Sequence, residues 1–242
     1  MVGKSQIKFI KSLLQKKYRN QYGMFVAEGV KTVQELLDSD FEAHIVYAVS
    51  DVLVNSEQVN IELVSGDELK RMSNLRNPNK VLGVFKFPVG KTVVQQGWVL
   101  ALDDVRDPGN LGTIIRLCDW FGVEHLVCSN NTVDCFNPKV LQATMGSITR
   151  VNIVYTDLVQ FIKESSLSVY GTFMDGDSVH ATTMPQEGIL VMGNEANGVS
   201  SAVGALVDYR IGIPQFGGNS TESLNVATAT AIFLSEIKRT EN

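Results

Sequence analysis

Two hydrophobic patterns divide the chain, and the change between them falls shortly before Trp98. In the first part, short stretches with helical spacing alternate with short stretches of β-branched and aromatic residues. They predict helices at about 4–18, from Gly29 onward and within 65–81, and strands at 25–27, 43–49 and 81–87. The first part is therefore predicted to be a small α/β domain over residues 1–90, followed by a glycine-containing linker at 91–97.

From Trp98 onward, continuously apolar strands alternate with helices. The predicted strands are WVLALDDV (98–105), HLVCS (125–129), RVNIVYT (150–156), SVYGTFM (168–174), GILVMGN (188–194) and YRIGIP (209–214). The stretch NLGTIIRLCDWFG predicts a helix that ends at Gly122, and the last strand leads into a C-terminal helix. This alternation is typical of a largely parallel sheet covered by helices on both faces. Residues 98–242 are therefore predicted to form one α/β domain.

Polar clusters that contain glycine follow the strand ends of this second domain. They are DDVRDPGNLG, GTFMDGD, GNEANG and IPQFGGNS. Because sheets of this kind bind ligands outside the carboxyl ends of their strands, the clusters predict one composite site. Arg116 follows the first cluster on a helix with apolar neighbours, and it is either a surface arginine or a ligand for a phosphate or carboxylate. Glu195, in the third cluster, either serves the site or caps the next helix.

Charge narrows the possible functions without selecting one. The net charge is −5, no apolar run is long enough to span a membrane, and the basic N-terminal stretch lacks the apolar core of a secretory signal. Six basic residues precede the first acidic one, Glu28. They are Lys4, Lys8, Lys11, Lys16, Lys17 and Arg19. A basic arm on an acidic body is either a phosphate-binding surface or a solvated helix face.

Several other chemistries lack their characteristic residues. The three cysteines have neither metal-ligand spacing nor the even count of a disulfide framework, which favours a cytosolic protein without a metal site. Gly90-Lys91-Thr92 resembles the end of a phosphate-binding P-loop, but Phe85 occupies the position of its first glycine. The sequence contains no GxGxxG and no GxSxG. Dinucleotide binding and hydrolysis by a serine triad are therefore disfavoured.

Three long motifs resemble those of the SpoU (TrmH-like) branch of the SPOUT RNA methyltransferases. They are DPGNLGTIIR, ILVMGNEANGVS and IPQFGGNSTESLNVATATAI, and the resemblance covers the whole second domain. It extends more loosely to FVAEGVKTVQELL, which is similar to the small RNA-binding domain often fused ahead of it. Two positions depart from the family pattern: Gln215 stands where methionine is usual, and Ala227 stands where serine is usual.

The resemblance implies a fold, an activity and partners. The implied fold is a mostly parallel α/β sheet with a deep C-terminal trefoil knot, and the implied assembly is a homodimer through that domain. The implied activity is transfer of a methyl group from S-adenosylmethionine to a ribose 2′-hydroxyl in structured RNA. The N-terminal domain favours 23S ribosomal RNA over transfer RNA. A non-catalytic RNA-binding or ribosome-assembly factor and a small-molecule-binding α/β protein remain alternatives.

The resemblance also implies catalytic roles. Arg116 would orient the phosphate next to the reacting hydroxyl and stabilise its developing charge, since a pKa above about 12 makes it a poor base. Asn110 would hold Arg116 or the substrate, and Glu195 would organise the site. Ser223 and Asn225 would contact the substrate.

The resemblance also implies cofactor-binding residues, which are Gly193, Ile213, Leu224, Thr172 and Gly218. The candidate RNA-binding residues come from the charge pattern and are the six basic residues that precede Glu28. Ser223 also has an alternative role as a helix cap, together with Asn219 and Glu222.

Overall fold

The computed structural model of the protein describes residues 2–50, 60–217 and 223–241. The chain divides into two compact units, one formed by residues 1–89 and 134–149, the other by residues 90–133 and 150–242. The segment 134–149, called the exchanged segment below, thus belongs to the first unit although the residues on either side of it belong to the second. No periodicity in the sequence predicts this exchange. The domain limits expected at 1–90 and 98–242 stay a prediction.

The helices and strands have the following bounds in chain order. The helices are α1 (Lys4–Ser12), α2 (Lys16–Tyr22), α3 (Val30–Leu37), α4 (Gly66–Met72), α5 (Pro108–Phe121), α6 (Pro138–Thr144), α7 (Leu158–Glu164), α8 (Ser201–Gly204) and α9 (Val226–Glu241). The strands are β1 (Met24–Glu28), β2 (Ala43–Ala48), β3 (Ile61–Leu63), β4 (Val81–Lys86), β5 (Trp98–Leu102), β6 (His125–Ser129), β7 (Asn152–Thr156), β8 (Val169–Ser178), β9 (Gly188–Met192) and β10 (Tyr209–Gly212).

The first unit contains a small sheet with the strand order β1-β4-β2-β3, in which only the β2–β3 pair is parallel among the described strands. Ile10 and Leu13, from and just after α1, pack in one buried cluster with Tyr47 of β2. The exchanged segment completes this unit, because Phe136 stacks on Phe25 with the ring centroids 4.6 Å apart. Burial of apolar and aromatic surface therefore joins the two stretches of chain in this unit.

The helix predicted at 4–18 is in fact two helices. The interruption lies at Leu13, whose side chain is fully buried. The guanidinium of Arg19 donates hydrogen bonds to the carbonyl oxygens of Leu13 (3.0 Å) and Leu14 (2.9 Å). The last carbonyl groups of a helix lack intrahelical partners, so these bonds satisfy groups that the end of α1 would otherwise leave unpaired.

Arg19 also pairs with Asp134 of the exchanged segment. Its Nε lies 3.0 Å from a carboxylate oxygen, and its Nη2 contacts the same oxygen. The side chain of Arg19 is only 3% exposed. Arg19 is buried and uses four of its five N–H donors inside the protein, so its side chain is less accessible to RNA than those of the exposed lysines.

The second unit contains the predicted parallel sheet, which is confirmed. In the part of the chain that the structure describes, this sheet has six strands in the order β10-β8-β9-β5-β6-β7, all paired in parallel. Every residue of β5 and β9 is buried, as their continuous apolar sequences predict. Helix α5 ends at Gly122, which adopts the left-handed conformation (φ 67°) that favours glycine at a helix end.

Two further features bear on chemistry. Among the described residues, no helix combines the length and apolarity needed to cross a bilayer, and no three His, Cys, Asp or Glu side chains are grouped to hold a metal ion.

Cys118, Cys128 and Cys135 are all buried and form no disulfide bond. Burial raises the pKa of the Cys118 thiol well above its usual value, so this thiol stays protonated.

We expect Asp134→Ala to lower the free energy of unfolding by roughly 3–5 kcal/mol, because the change leaves the buried Arg19 without its counter-charge. Urea unfolding followed by circular dichroism measures the loss. The matched control is Glu42→Ala, which removes the carboxylate of the exposed Lys86–Glu42 pair in the same unit and should cost less than about 1 kcal/mol. Equal losses in the two variants would contradict the structural role of the buried pair.

Candidate active site

A cavity of about 870 Å³ opens beyond the carboxyl ends of β9 and β10 and against the middle of β8. Its walls come from residues 172–174, 192–199 and 213–217 and from the start of α9. Three of the four polar clusters noted in the sequence therefore meet at one place, as expected for a parallel sheet. The volume lies within the range of roughly 300–1,000 Å³ that is usual for small-molecule sites.

Most of the predicted cofactor-binding residues line this cavity. The predicted residues in its wall are Gly193, Ile213, Leu224 and Thr172, together with Glu195 and Ser223. The hydroxyl of Thr172 donates to the carbonyl oxygen of Val191 (3.0 Å), which fixes its rotamer at the edge of β8. Gly218 lies outside the described residues, as do Asn219 and Glu222.

The chemistry of the lining restricts what the cavity can hold. Met192, Ile213 and Phe233 supply apolar surface, and the exposed face of Leu224 adds to it. Among the described residues of the lining there is no lysine and no arginine, whereas Glu195 contributes a carboxylate. Such a cavity suits a neutral or cationic organic molecule with a flat apolar part, and it offers no counter-charge to a phosphate.

Gly193 stands where two pieces of backbone approach closely. A Cβ atom at this position would lie 2.2 Å from the carbonyl carbon of Gly198 and 2.2 Å from the nitrogen of Val199. Only glycine avoids this clash. The backbone of Asn194 pairs with that of Gly198 through two hydrogen bonds of 2.9 Å, which closes the loop after β9.

Asn194 locks the same loop with its side chain, a role that the sequence did not predict. Its Oδ1 accepts from the backbone N–H groups of Ala196 (2.9 Å) and Asn197 (3.1 Å). Its Nδ2 donates to the carbonyl oxygen of Asp104 (2.7 Å). The loop after β9 is therefore fixed both internally and to the loop after β5.

Three of the five predicted catalytic residues form one hydrogen-bonded chain. Asn225 Nδ2 donates to Asn110 Oδ1 (2.8 Å), and Asn110 Nδ2 donates to Glu195 Oε1 (3.1 Å). Glu195 also accepts from the backbone N–H groups of Arg106 and Asp107, both at 3.4 Å. This chain, called the amide relay below, joins three loops that are far apart in sequence.

Two helix N-termini hold the asparagines of the amide relay in position. Asp107 caps α5 by accepting from the backbone N–H of Asn110 (2.8 Å). Asn225 caps α9, since its Oδ1 accepts from the backbone N–H groups of Ala227 (3.0 Å) and Thr228 (3.2 Å). Helices α5 and α9 pack against each other, so the two caps lie side by side. The sequence predicted caps in this region but did not identify Asn225 as one.

Arg116 and Arg106 differ in their availability to a ligand. Arg106 forms an ion pair with Asp104, with Nε and Nη2 each 2.8 Å from a carboxylate oxygen. This hydrogen bonding raises the pKa of Arg106, and the charge of Glu195 adds to the effect. Arg116 is exposed on α5 and has no ion pair or hydrogen bond with any described residue. It does not line the cavity, so within one chain it lies apart from the residues that do.

The predicted RNA-binding lysines lie on the first unit. Lys4, Lys8 and Lys11 are exposed on one face of α1, as their spacing of four and three residues requires. Lys16 and Lys17 are exposed on α2. These five lysines all lie within residues 4–17 and are exposed, whereas Arg19 is buried.

Comparison with protein families identifies both parts of the chain. Residues 97–235 match the model of the SpoU rRNA methylase family. The chain belongs to this family. Residues 4–83 match the model of the MRM3-like substrate binding domain. The resemblance of the three sequence motifs to the SpoU family is therefore confirmed. The looser resemblance of the N-terminal part to a small RNA-binding domain corresponds to the match with the substrate binding domain.

Individual relatives match this SpoU family member over its whole length. The 23S rRNA (guanosine(2553)-2′-O)-methyltransferase RlmP of Bacillus subtilis is 30% identical over 96% of each chain. A TrmH-family protein of Porphyromonas gingivalis is 36% identical, with a TM-score of 0.91 over 99% of each chain. An AdoMet-bound rRNA methyltransferase of Sinorhizobium meliloti is 29% identical, with a TM-score of 0.88 over 99% of this chain and 97% of that one.

We expect Gly193→Ala to destabilise the second unit by more than about 2 kcal/mol, because the added methyl group meets backbone that cannot move without opening the loop. Thermal unfolding followed by circular dichroism measures the change. Gly204→Ala is the matched control, since its Cβ would meet only Phe173, at an ordinary 3.7 Å. A Gly193 variant as stable as the Gly204 variant would show that the loop adapts freely.

Proposed function

We propose that the protein transfers a methyl group from S-adenosylmethionine to a ribose 2′-hydroxyl of 23S ribosomal RNA in the cytoplasm. The observation that carries this proposal is the amide relay at the edge of a cavity whose described lining lacks cationic side chains. Membership of the SpoU family supports the reaction, and the activity of the Bacillus subtilis relative on 23S rRNA supports the choice of RNA. The Sinorhizobium meliloti relative, which holds AdoMet, supports the cofactor.

The residues of the cavity fit the proposed cofactor. S-adenosylmethionine supplies a methyl group on a positively charged sulfur, which makes that carbon electrophilic. Ile213, Leu224 and Met192 provide apolar surface for its adenine, and Glu195 provides the negative charge that a cationic ligand favours. Gly193 lines the cavity, and its lack of a side chain lets the backbone of Gly198 and Val199 pack against it.

The two departures from the family pattern are compatible with this fit. Gln215 lines the cavity, so its polar amide in place of a thioether changes the wall but not the relay. Ala227 lacks the hydroxyl of the usual serine, yet it contributes to the cap of α9 through its backbone N–H, which any residue except proline supplies. The amide relay is therefore independent of both substitutions.

The geometry favours different roles for the predicted catalytic residues. In both Asn225 and Asn110, the side-chain oxygen and the side-chain nitrogen already form hydrogen bonds within the protein. We therefore assign these two residues to positioning rather than to contact with the substrate. Ser223 lies in the cavity wall, where it can contact the ribose. Glu195 keeps the loop after β9 at a fixed distance from the start of α5.

Arg116 is the residue that we assign to the reacting phosphate and hydroxyl. S-adenosylmethionine, when bound, would supply the methyl group to the 2′-oxygen, and the hydroxyl proton would pass to solvent. A guanidinium remains charged throughout and can bind a phosphate through two parallel hydrogen bonds. It therefore aligns the nucleotide and stabilises the negative charge that develops on the oxygen.

We further propose that the protein is a homodimer through its second unit and that this unit contains the deep trefoil knot of its family. Trp120 supports the dimer, because it is 83% exposed at the end of α5, one turn beyond Arg116 and on the same face. A tryptophan so exposed is usual at an interface and unusual on the surface of a monomer. A second copy that covers Trp120 would also approach Arg116.

Replacement of Arg116 tests the proposed function. Arg116→Ala should lower kcat by about 10²–10³, as for other preorganised donors, while the affinity for S-adenosylmethionine stays unchanged. Transfer of a labelled methyl group to 23S ribosomal RNA from a strain that lacks the gene measures turnover, and calorimetry measures cofactor binding. Arg239→Ala, which removes an arginine paired with Glu236 on α9, is the control and should retain activity.

Other results of the same assay would identify a different function. Normal turnover by Arg116→Ala would remove Arg116 from the mechanism. Transfer to transfer RNA alone would replace the proposed substrate. RNA binding by the wild-type protein without any transfer would favour a ribosome-assembly factor, and failure to bind RNA at all would favour a small-molecule-binding protein.

We expect Trp120→Arg to weaken the dimer by about 2 kcal/mol or more, which is roughly 30-fold in Kd, because buried tryptophans contribute strongly to interfaces. Light scattering coupled to size-exclusion chromatography over a range of concentrations measures the shift to monomer. Val94→Arg adds the same charge at a side chain that is 53% exposed in the same unit. If both variants dimerise like the wild type, α5 is not the interface.

A further inference from the structure

The loop between α4 and β4 carries basic residues outside the N-terminal basic stretch. This loop, Ser73–Lys80, has the sequence SNLRNPNK and contains no acidic residue. Arg76 and Lys80 are exposed on it, and Lys31 is exposed in the first turn of α3. The loop and the first turn of α3, both in the first unit, are called the loop surface below.

Hydrogen bonds hold this loop against the corner between β1 and α3. Glu28, the last residue of β1, accepts from the hydroxyl of Ser73 and from the backbone N–H of Asn74 (2.9 Å). The backbone N–H of Gly29 donates to the carbonyl oxygen of Val81 (3.0 Å), directly after the loop. These hydrogen bonds therefore fix the loop surface to the rest of the first unit.

Asn79 lies directly over Gly29. A Cβ atom on Gly29 would lie 3.3 Å from the Asn79 side-chain nitrogen, and Gly29 has the positive φ of 102° that favours glycine. Lys80, which follows Asn79, and Lys31, which lies two residues after Gly29, are thereby brought to the same corner. Arg76 lies between the two points at which the loop is attached, so all three cations belong to one local surface.

The cations of the loop surface are not neutralised within the described protein. Both carboxylate oxygens of Glu28 accept hydrogen bonds from the loop itself. Lys31, Arg76 and Lys80 have no ion pair with any described residue, whereas Lys86 in the same unit pairs with Glu42. These three cations outnumber the single carboxylate of Glu28 at this corner of a protein of net charge −5, and the local excess of positive charge attracts a polyanion.

The neutral residues of the loop fit a nucleic acid. Asn74, Asn77 and Asn79 are exposed, and each carries an amide that can donate to and accept from a 2′-hydroxyl or a base edge. Basic side chains position a phosphate backbone, while such amides contact sugars and bases. Both kinds of group alternate along this loop.

We propose that Lys31, Arg76 and Lys80 form a second RNA-contact surface, separate from the lysines of α1 and α2, that binds the phosphate backbone of the structured RNA substrate. This inference rests on the proposed function to the extent that RNA is the substrate. It divides the affinity for RNA between two surfaces of the first unit, so neither surface alone supplies the full dependence of binding on salt.

The salt dependence of RNA binding tests the loop surface. Filter binding of 23S ribosomal RNA transcribed in vitro is measured between low and physiological salt for the triple variant Lys31→Ala/Arg76→Ala/Lys80→Ala. The slope of log K against log salt should decrease by about 3, roughly one for each lost cation. KM for RNA should rise about tenfold, whereas kcat at saturating RNA and the affinity for S-adenosylmethionine should not change.

A control with the same change in net charge isolates the position of the cations. The variant Lys86→Ala/Lys163→Ala/Arg239→Ala removes three exposed cations elsewhere and should keep the wild-type slope. The variant Lys31→Arg/Arg76→Lys/Lys80→Arg keeps every positive charge and should have the same slope as the wild-type protein. Circular dichroism of each variant confirms folding.

The outcomes for the loop surface and for the proposed function are separable. A triple variant with the slope of its control overturns the loop surface, even if the wild-type protein methylates the RNA. A reduced slope supports the loop surface even if the wild-type protein transfers no methyl group, a result that would instead contradict the proposed function.

Discussion

Two hydrogen bonds between side chains, from Asn225 to Asn110 and from Asn110 to Glu195, hold the candidate site together. A parallel sheet brings the ends of its strands to one edge, but it does not fix the loops that follow them. The amide relay does so for three of these loops at once. Because each asparagine also lies at a capped helix N-terminus, helices α5 and α9 hold the amide relay in a fixed position. The site is thus preorganised by ordinary structural contacts before any ligand binds.

The sequence predicted the elements whose pattern is local and strong. The apolar runs of β5 and β9 identified central parallel strands, and Gly122 identified the end of α5. The short helices α6, α7 and α8, of four to seven residues, were not predicted, although α4 with seven residues was. For α6 there is a physical reason: its apolar face belongs to the first unit, which no local pattern reveals.

The site shows the same division between local and long-range information. Clusters of glycine and polar residues at strand ends located the cavity, because their position along the chain is a local property. The charge pattern placed Arg19 with the neighbouring lysines, whereas the structure pairs it with Asp134, 115 positions further along the chain. Asn194 was overlooked because its bonds are to backbone groups, which leave no trace in the residue types around it. Long-range partners of this kind can be read only from the folded chain.

The lack of lysine and arginine in the described cavity wall has a consequence for selectivity inside a cell. Adenosine triphosphate and related nucleotides are abundant in cells and contain the same adenine ring as S-adenosylmethionine. The shape of an adenine pocket therefore cannot distinguish these molecules. A polyphosphate brought against the Glu195 carboxylate would lose its hydration and meet like charge. The described wall therefore offers the phosphates of such a nucleotide no compensating positive charge.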